Sequence, residues 1–437
     1  MPSGRCALPD AARGTGAAHA VGTLLRGWRK RALLTQEQLA EKAGLNVRTV
    51  RRLENGGLWQ PRSRSVLLLA QALELGGEER EQLAAAARGL PVAGTGEVAA
   101  RPIVPRQLPA GLAALAGRER ELAVVEDAHR ARTALVVAID GMAGTGKTAL
   151  AVHAAHRLAP GFPDGQLYVD LHGHGAAPVE PGEALARMVR ALGVPAEEIP
   201  DHDEDRAALY RSVLSERRVL IVLDDAAGAE QVKPLLPAGP GCRVIVTGRG
   251  RLSGLGDTRA VSLDVLPAPA AVALFAEVAG HERAAGASPG ELEEVAARCG
   301  WLPLAVRIAA ERLRARPTWS VRDLLKRLAG DRLAELAAGG HDVAAALDRS
   351  YDRLPAELRR AYRLLGARAG DGADDGADDS ANLDSRTAAA LLGTSAPHAE
   401  RLLERLLDAH LLRESAPGRY RFHDLVRDHA SRSSRVA

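Results

Sequence analysis

The stretch Gly141-Met-Ala-Gly-Thr-Gly-Lys147-Thr148 sets glycines, a lysine and a hydroxyl at a spacing that suits a phosphate chain. Gly141, Gly144 and Gly146 let backbone N–H groups turn inward around phosphate oxygens. Lys147 brings a point charge to the β- and γ-phosphates, and the Thr148 hydroxyl can ligate Mg²⁺. The same letters also occur in ordinary glycine-rich turns, so context decides. An apolar strand must lead in and a helix must lead out. Residues 134–140 and 148–158 have those two patterns. The helix then turns its positive end on the anion.

Two more apolar runs end in reactive side chains. Residues 219–223 lead into Asp224-Asp225, and residues 243–247 end at Thr247, just before Gly248-Arg249. A carboxylate closing an apolar strand is costly to bury unless it is paired or bound to a metal. Asp224 with Thr148 would hold Mg²⁺, Asp225 would position an attacking water, and Arg249 would sense the γ-phosphate. Lys147, Asp224, Asp225 and Arg249 are therefore the candidate catalytic set. His172 and His174 sit in His172-Gly-His-Gly. Histidines on a glycine loop read as solvent-exposed rather than as metal ligands.

Side chains this far apart in sequence need strands that end side by side. Residues 166–170, 219–223 and 243–247 read as strands, and 183–192 and 205–215 as helices. Alternation of this kind predicts a parallel sheet covered on both faces, with the ligand at the carboxyl ends of its strands. From Leu263 the pattern is helical, through 324–328, 344–351 and 357–365. Residues 370–382 are acidic and of low complexity, without the spacing of a calcium loop, and predict a floppy surface loop. The last stretch predicts a helix over 398–410, a hairpin closing on 419–422 and a final helix, as in a winged helix.

At 437 residues the chain is too long for one core. Hydrophobic content of 46% with 26% charge is that of a soluble globular protein. No apolar run approaches the roughly 18 residues that cross a bilayer, and no signal-peptide pattern opens the chain. Cys6, Cys242 and Cys299 are odd in number and far apart, which excludes a disulfide framework and suits a reducing, cytoplasmic setting. Only five of the 58 basic residues are lysine, a sign of high-GC coding, so arginine counts alone carry little. Their placement carries more. Residues 26–64 hold ten basic and three acidic residues, a local +7 in a chain whose total is +3. A basic module on a near-neutral body points to a polyanion partner.

Within that module, Val21, Leu24, Leu25 and Trp28 make one helical face. Thr35 with Gln38 forms a capping box, Gly44 ends the second helix, and Asn46 caps a third over 47–54, stopped by Asn55-Gly56-Gly57. Two short helices on a tight turn make a helix-turn-helix. The string Leu34-Thr-Gln-Glu-Gln-Leu-Ala-Glu-Lys-Ala-Gly44-Leu-Asn-Val-Arg-Thr-Val-Arg-Arg-Leu-Glu54 resembles the lambda-repressor/Cro-like (XRE-type) DNA-binding domain, with further helices at 65–75 and 77–88. That resemblance implies that Val47, Arg48 and Arg52 face base edges of double-stranded DNA. It places Gln36, Asn46 and Thr49 near backbone phosphates, and Leu39, Ala43, Val50 and Leu53 in the core.

The order Gly117-Arg118, 141–148, Asp224-Asp225, Thr247 to Arg249, Gly300 to Leu304 and Phe422-His423-Asp424 resembles the NB-ARC domain of the STAND ATPases, over residues 112–430. The resemblance implies a P-loop NTPase domain, a small helical domain and a winged-helix domain that close over ADP. It implies Arg118 near adenine, Pro303 against adenine or ribose, and His423 on the ADP β-phosphate with Asp424 fixing its tautomer. Asp225 stands where many bacterial relatives have Asn, so the resemblance admits hydrolysis. No repeat array of the kind that senses ligand in that family is present in this sequence.

The expected organisation is multidomain. It runs from a disordered tail (1–18) to an all-α helix-turn-helix head (19–90), a linker (91–111), an α/β P-loop NTPase domain (112–262), a small helical domain (263–342) and a winged-helix domain (343–437). The expected function is a DNA-binding transcriptional regulator switched by ADP and ATP with Mg²⁺, acting as a slow ATPase and forming a homo-oligomer on activation. The alternative is an NB-ARC signalling or defence ATPase whose helix-turn-helix contacts protein.

Overall fold

The computed structural model describes residues 11–54, 63–88, 104–111, 115–130, 135–370 and 382–435. The chain divides into two compact units, Met1–Pro102 and Ile103–Ala437. Among the described residues no helix is long and apolar enough to cross a membrane.

Among the described residues the first unit has five helices: α1 (Ala11–Arg31), α2 (Gln36–Lys42), α3 (Val47–Glu54), α4 (Ser63–Ala72) and α5 (Gly77–Ala87). Helix α1 begins at Ala11, whereas the apolar periodicity begins at Val21. Residues 11–20 lack a stripe, but their alanines favour helix without one. The Thr35 hydroxyl accepts from the Gln38 amide at 3.1 Å, and Gln38 Oε1 accepts from the Thr35 amide at 2.8 Å, so the capping box forms as expected. Gly44 adopts the left-handed φ of +61° that ends α2. The Asn46 carboxamide then accepts from the Arg48 amide at 2.9 Å and starts α3. Leu39, Ala43, Val50 and Leu53 are all buried, in one cluster with Val21, Leu25 and Trp28. Residues 1–10 of the expected tail and the Asn55-Gly56-Gly57 stop lie outside the described residues.

The second unit begins with α6 (Glu119–Arg130), β1 (Val136–Gly141), α7 (Lys147–Leu158), β2 (Gln166–Asp170), α8 (Pro181–Ala191), α9 (Asp203–Leu214), β3 (Leu220–Ala226), α10 (Ala229–Val232), β4 (Arg243–Gly248) and β5 (Thr258–Leu263). The sheet is wholly parallel, in the order β2-β3-β4-β1-β5. Strand β1 is buried along its whole length. Its two faces pack against separate apolar clusters, one holding Val136 and Ala138 and the other Val137 and Ile139.

Strand β5 corrects the expectation of helix from Leu263, because that residue ends a strand. The segment is at the sheet edge, with Val261 and Leu263 buried and Arg259 and Ala260 exposed, so it carries no continuous apolar run. A second difference lies in β3. Asp224 and Asp225 are within the strand, where the β3–β4 register shifts between Leu223 and Ala226. The irregularity leaves both aspartates out of the β3–β4 ladder, while Asp224 still pairs with Asp170 of β2.

The chain continues through α11 (Ala268–Ala279), α12 (His281–Ala285), α13 (Pro289–Arg298), α14 (Pro303–Arg314), α15 (Val321–Leu328), α16 (Arg332–Glu335), a small hairpin of β6 (Ala337–Ala338) and β7 (His341–Asp342), and α17 (Val343–Tyr351). It ends with α18 (Ala356–Gly370), α19 (Ser385–Leu392), α20 (Ala396–Asp408), the antiparallel hairpin β8 (Arg413–Ala416) and β9 (Arg419–Arg421), and α21 (Asp424–Arg435). One apolar cluster runs from Phe275 and Leu302 through Tyr362 to Phe422 and Leu425. Most of the expected acidic loop, 371–381, lies outside the described residues.

Candidate functional site

The phosphate loop closes on itself and opens to one side. Thr145 Oγ1 donates to the Met142 carbonyl at 2.9 Å, and Lys147 Nζ donates to the Gly141 and Met142 carbonyls at 2.8 Å each. Gly141, Gly144 and Gly146 all have positive φ, of 144°, 84° and 91°. At Gly144 a side chain would also meet Leu304 Cβ at 3.0 Å. The close approach matters, because the Leu304 amide donates to the Gly144 carbonyl at 3.2 Å and ties the start of α14 to the loop. Burial pushes the half-buried Lys147 ammonium down to about 7, aided by the Arg249 charge and opposed by Asp225, Asp224 and Asp140.

Asp224 is 5% exposed and accepts from three hydroxyls. Thr148 reaches its two oxygens at 2.9 and 3.0 Å, Thr247 reaches Oδ1 at 2.6 Å, and Tyr168 reaches Oδ2 at 3.0 Å. Strand β4 lies between β1 and β3, so Thr247 is the bridge from the phosphate-loop strand to the aspartate strand. Burial and the Asp224 charge push the Tyr168 phenol far above its usual range, keeping it a donor. The Thr148 hydroxyl and the Asp224 carboxylate are two hard oxygen ligands side by side, and they fit Mg²⁺ that also binds phosphate oxygens. Among the described residues no three His, Cys, Asp or Glu side chains could hold a metal by themselves.

Asp225, at φ +49°, points to different partners. The His174 ring Nδ1 lies 3.0 Å from Oδ1, the His174 amide donates to Oδ2 at 3.1 Å, and Arg249 Nε is 3.6 Å from Oδ1. Burial opposes the anion, but His174 and Arg249 outweigh it and hold the carboxyl down to about 2. His174 is therefore not the solvent-exposed residue its glycine loop suggests. Arg249 also donates to the Ala346 carbonyl at 2.6 Å and to Ser350 Oγ at 3.0 Å on α17.

A cleft of about 770 Å³ opens beside the loop. Arg118, Gly144, Gly146, Thr148 and Pro303 line it together with Tyr168 and Arg307. Arg118 is 3% exposed, and its Nη2 donates to the carbonyls of Thr145 at 3.0 Å and Asp264 at 2.6 Å. It thus joins the phosphate loop to the end of β5. Lys147, Asp224, Asp225 and Arg249 form the polar cluster at the strand ends next to this cleft.

His423 is not among the residues lining the cleft. The Leu425 amide donates to its Nδ1 at 3.2 Å, so Nε2 carries the proton and donates to the Gly300 carbonyl at 2.8 Å. This corrects the part given to Asp424, whose carboxylate faces Arg427 at 3.7 Å while the Leu425 amide sets the tautomer. Gly300 has φ +60°, and a side chain there would come within 2.4 Å of the His423 ring. Three residues on, Pro303 enters the cleft. His410 is a further link that no motif announces, with Nε2 at 3.1 Å from the buried Asp140 at the end of β1.

In the first unit, Asn46, Arg48 and Arg52 are exposed, and Gln36, Val47 and Thr49 are half-buried. Gln36 Nε2 donates to Glu54 at 2.7 Å, so one of its donors is turned inward. Glu54 is 3% exposed and is held by Arg29 at 2.6 and 2.9 Å. That pair fixes the end of α3 against α1.

Residues 20–83 match the helix-turn-helix domain family, and residues 122–284 match the NB-ARC domain family. The chain is 48% identical over 348 residues to "Regulatory protein AfsR" of Streptomyces coelicolor, an alignment covering 77% of this chain and 34% of that protein. It is 46% identical over 333 residues to the protein of the same name from Streptomyces griseus, covering 75% and 33%. The chain thus spans about a third of the length of these relatives. Among solved structures it is similar to the Walker-type ATPase of Pyrococcus abyssi, at 14% identity and a TM-score of 0.49, over 73% of this chain and 96% of that one. The chain thus carries, in this order, a match to the helix-turn-helix family and a match to the NB-ARC family, and it is similar to these two regulatory proteins over about a third of their length.

Proposed function

We propose that the protein is a transcriptional regulator whose helix-turn-helix unit binds double-stranded DNA and whose NB-ARC unit is a switch set by ADP or ATP. The name of its relatives, "Regulatory protein", agrees with this reading. So does the local +7 around a helix with exposed Arg48 and Arg52. Both DNA and ATP would be met in the cytoplasm.

Arg118, the loop glycines, Lys147 and Pro303 bind the nucleotide, and Thr148 with Asp224 holds Mg²⁺. Held there, Mg²⁺ would supply charge neutralisation to the phosphate chain. The protein's own part is to orient and to exclude water. Residues 263–342 serve as the small helical domain and 343–437 as the winged-helix domain. His423 closes the latter on the turn that carries Pro303, and by the family likeness on the β-phosphate when a diphosphate is bound. Hydrolysis is slow, and the form with ATP opens and oligomerises.

The observation that carries this reading is the double engagement of Arg249. One guanidinium faces Asp225 at 3.6 Å and grips α17 at 2.6 and 3.0 Å. A γ-phosphate that draws Arg249 away must therefore loosen α17, which gives a ligand different contacts in two states. The test is the nucleotide content of the purified full chain, released by denaturation and resolved by chromatography. We expect stoichiometric ADP in the wild type and its loss in Lys147→Ala. Protein that is free of nucleotide and binds neither ADP nor ATP refutes the reading.

A further inference from the structure

Residues 171–174 are laid along residues 224–227 as a clamp. The Leu171 amide donates to the Asp224 carbonyl at 2.8 Å and the Gly173 amide to the Asp225 carbonyl at 2.6 Å. At Gly173 a side chain would stand 2.1 Å from the Ala227 nitrogen, so the two segments touch backbone to backbone. The clamp ends on His174, whose side chain is 10% exposed and whose amide and ring take one Asp225 oxygen each. A carboxylate offers about four lone-pair directions. His174 occupies one on each oxygen, and the Arg249 charge faces Oδ1 at 3.6 Å, which leaves Oδ2 with a free direction away from the guanidinium.

We propose that His174 is a positioning residue for Asp225, fixing the rotation of the carboxylate so that its free Oδ2 lone pair orients the water that attacks the nucleotide. This rests on the ATP-hydrolysis reading above. In that step the water oxygen bonds to the γ-phosphorus while the bond from that phosphorus to the β–γ bridging oxygen breaks. ADP keeps the bridging oxygen, and the water proton leaves on the released phosphate. Asp225 accepts a hydrogen bond and does not take the proton. No further reactant is needed. Without His174 the carboxylate would follow Arg249, which is itself attached to α17, and the water would lose a fixed partner.

The test uses the full chain with Mg²⁺ and ATP at steady state, comparing wild type with His174→Ala, His174→Asn, His172→Asn and Lys147→Ala. A misplaced water costs rate rather than binding, so His174→Ala should lower kcat about tenfold or more, with KM and ADP affinity within about twofold. His174→Asn keeps an N–H donor near the Nδ1 position and should restore most of the rate. His172→Asn should match wild type, because the exposed His172 side chain pairs with Asp170 and not with Asp225. Unchanged kcat in His174→Ala overturns the proposal. So does a joint loss of kcat, ADP affinity and melting temperature that Asn fails to rescue, since that is a purely structural role. Wild-type turnover no higher than that of Lys147→Ala overturns the hydrolysis reading, and the role of His174 falls with it.

Discussion

At the scale of single residues, the phosphate loop and the aspartate pair were legible because each of their positions has a fixed chemical task. Asp224→Asn tests the task given to the carboxylate. Three hydroxyls now donate to it at 2.6–3.0 Å, and an amide can accept through only one of its two polar atoms. Loss of a buried hydrogen-bond partner costs about 1–3 kcal/mol. We expect a lower melting temperature and a larger loss of Mg²⁺-dependent ATP handling than of ADP retention, read by calorimetry and turnover. Equal losses for ADP and ATP would contradict Mg²⁺ ligation. On α3, Arg48→Ala and Arg52→Ala should each relax sequence preference by about 1–3 kcal/mol per lost bidentate base contact. A DNA-selection experiment on each variant reads this directly, and unchanged preference in both would remove α3 from the groove. The partners of His174, His410 and Gln36 were not legible. Each depends on which strand end or helix face folds against it, and one sequence does not carry that information.

At the scale of elements, the capping box at Thr35, the αL glycine at Gly44 and the buried strands could be read, since those signals are local. Strand β5 could not. It lies on the edge with only one face covered, and its burial comes from pairing with β1 rather than from an apolar run. The turn of Gly300 to Pro303 shows the same limit, because its motif was visible while its contact with His423 was not. That contact has a pH signature. Burial drives the His423 imidazole down to about 4, with Arg413 acting in the same direction. The Gly300 bond, Asp424 and Asp264 act against this. The folded pKa lies below the unfolded value of about 6.5, so the unfolded chain binds more protons between them. The stabilisation is full above about pH 6.5 and is lost as pH falls towards 4. At 1.36 kcal/mol per unit it amounts to about 3 kcal/mol. His423→Gln should flatten the fall in melting temperature of the second unit from pH 7.5 to 5. An unchanged slope would mean that other groups titrate there.

At the scale of the whole molecule, the candidate nucleotide site faces the C-terminal elements through several polar contacts at the strand ends. Arg249 grips α17, Arg353 donates to the Gly175 carbonyl at 2.9 Å, His410 faces Asp140 at 3.1 Å, and Arg413 pairs with Asp264 at 2.6 Å. Helix α17 is in turn held to α21, where Asp348 meets His429 at 2.9 Å. On the proposed switch reading, opening the unit would break this set together and so supply the bistable element. Ser350→Ala removes one bond to Arg249, worth about 1 kcal/mol, and should speed ADP release about fivefold without changing the phosphate loop. An unchanged release rate would show that α17 does not sense the site. The central claim is that nucleotide governs DNA binding, and coupling between two sites is a difference of binding free energies. The most direct measurement is therefore the affinity of the full chain for selected duplex DNA at fixed salt. It is taken once with ADP and once with a non-hydrolysable ATP analogue and Mg²⁺, with oligomer size followed in parallel. Binding at least tenfold tighter with the analogue is expected, accompanied by assembly. Identical isotherms and identical size in the two nucleotide states, with both nucleotides bound, would contradict it.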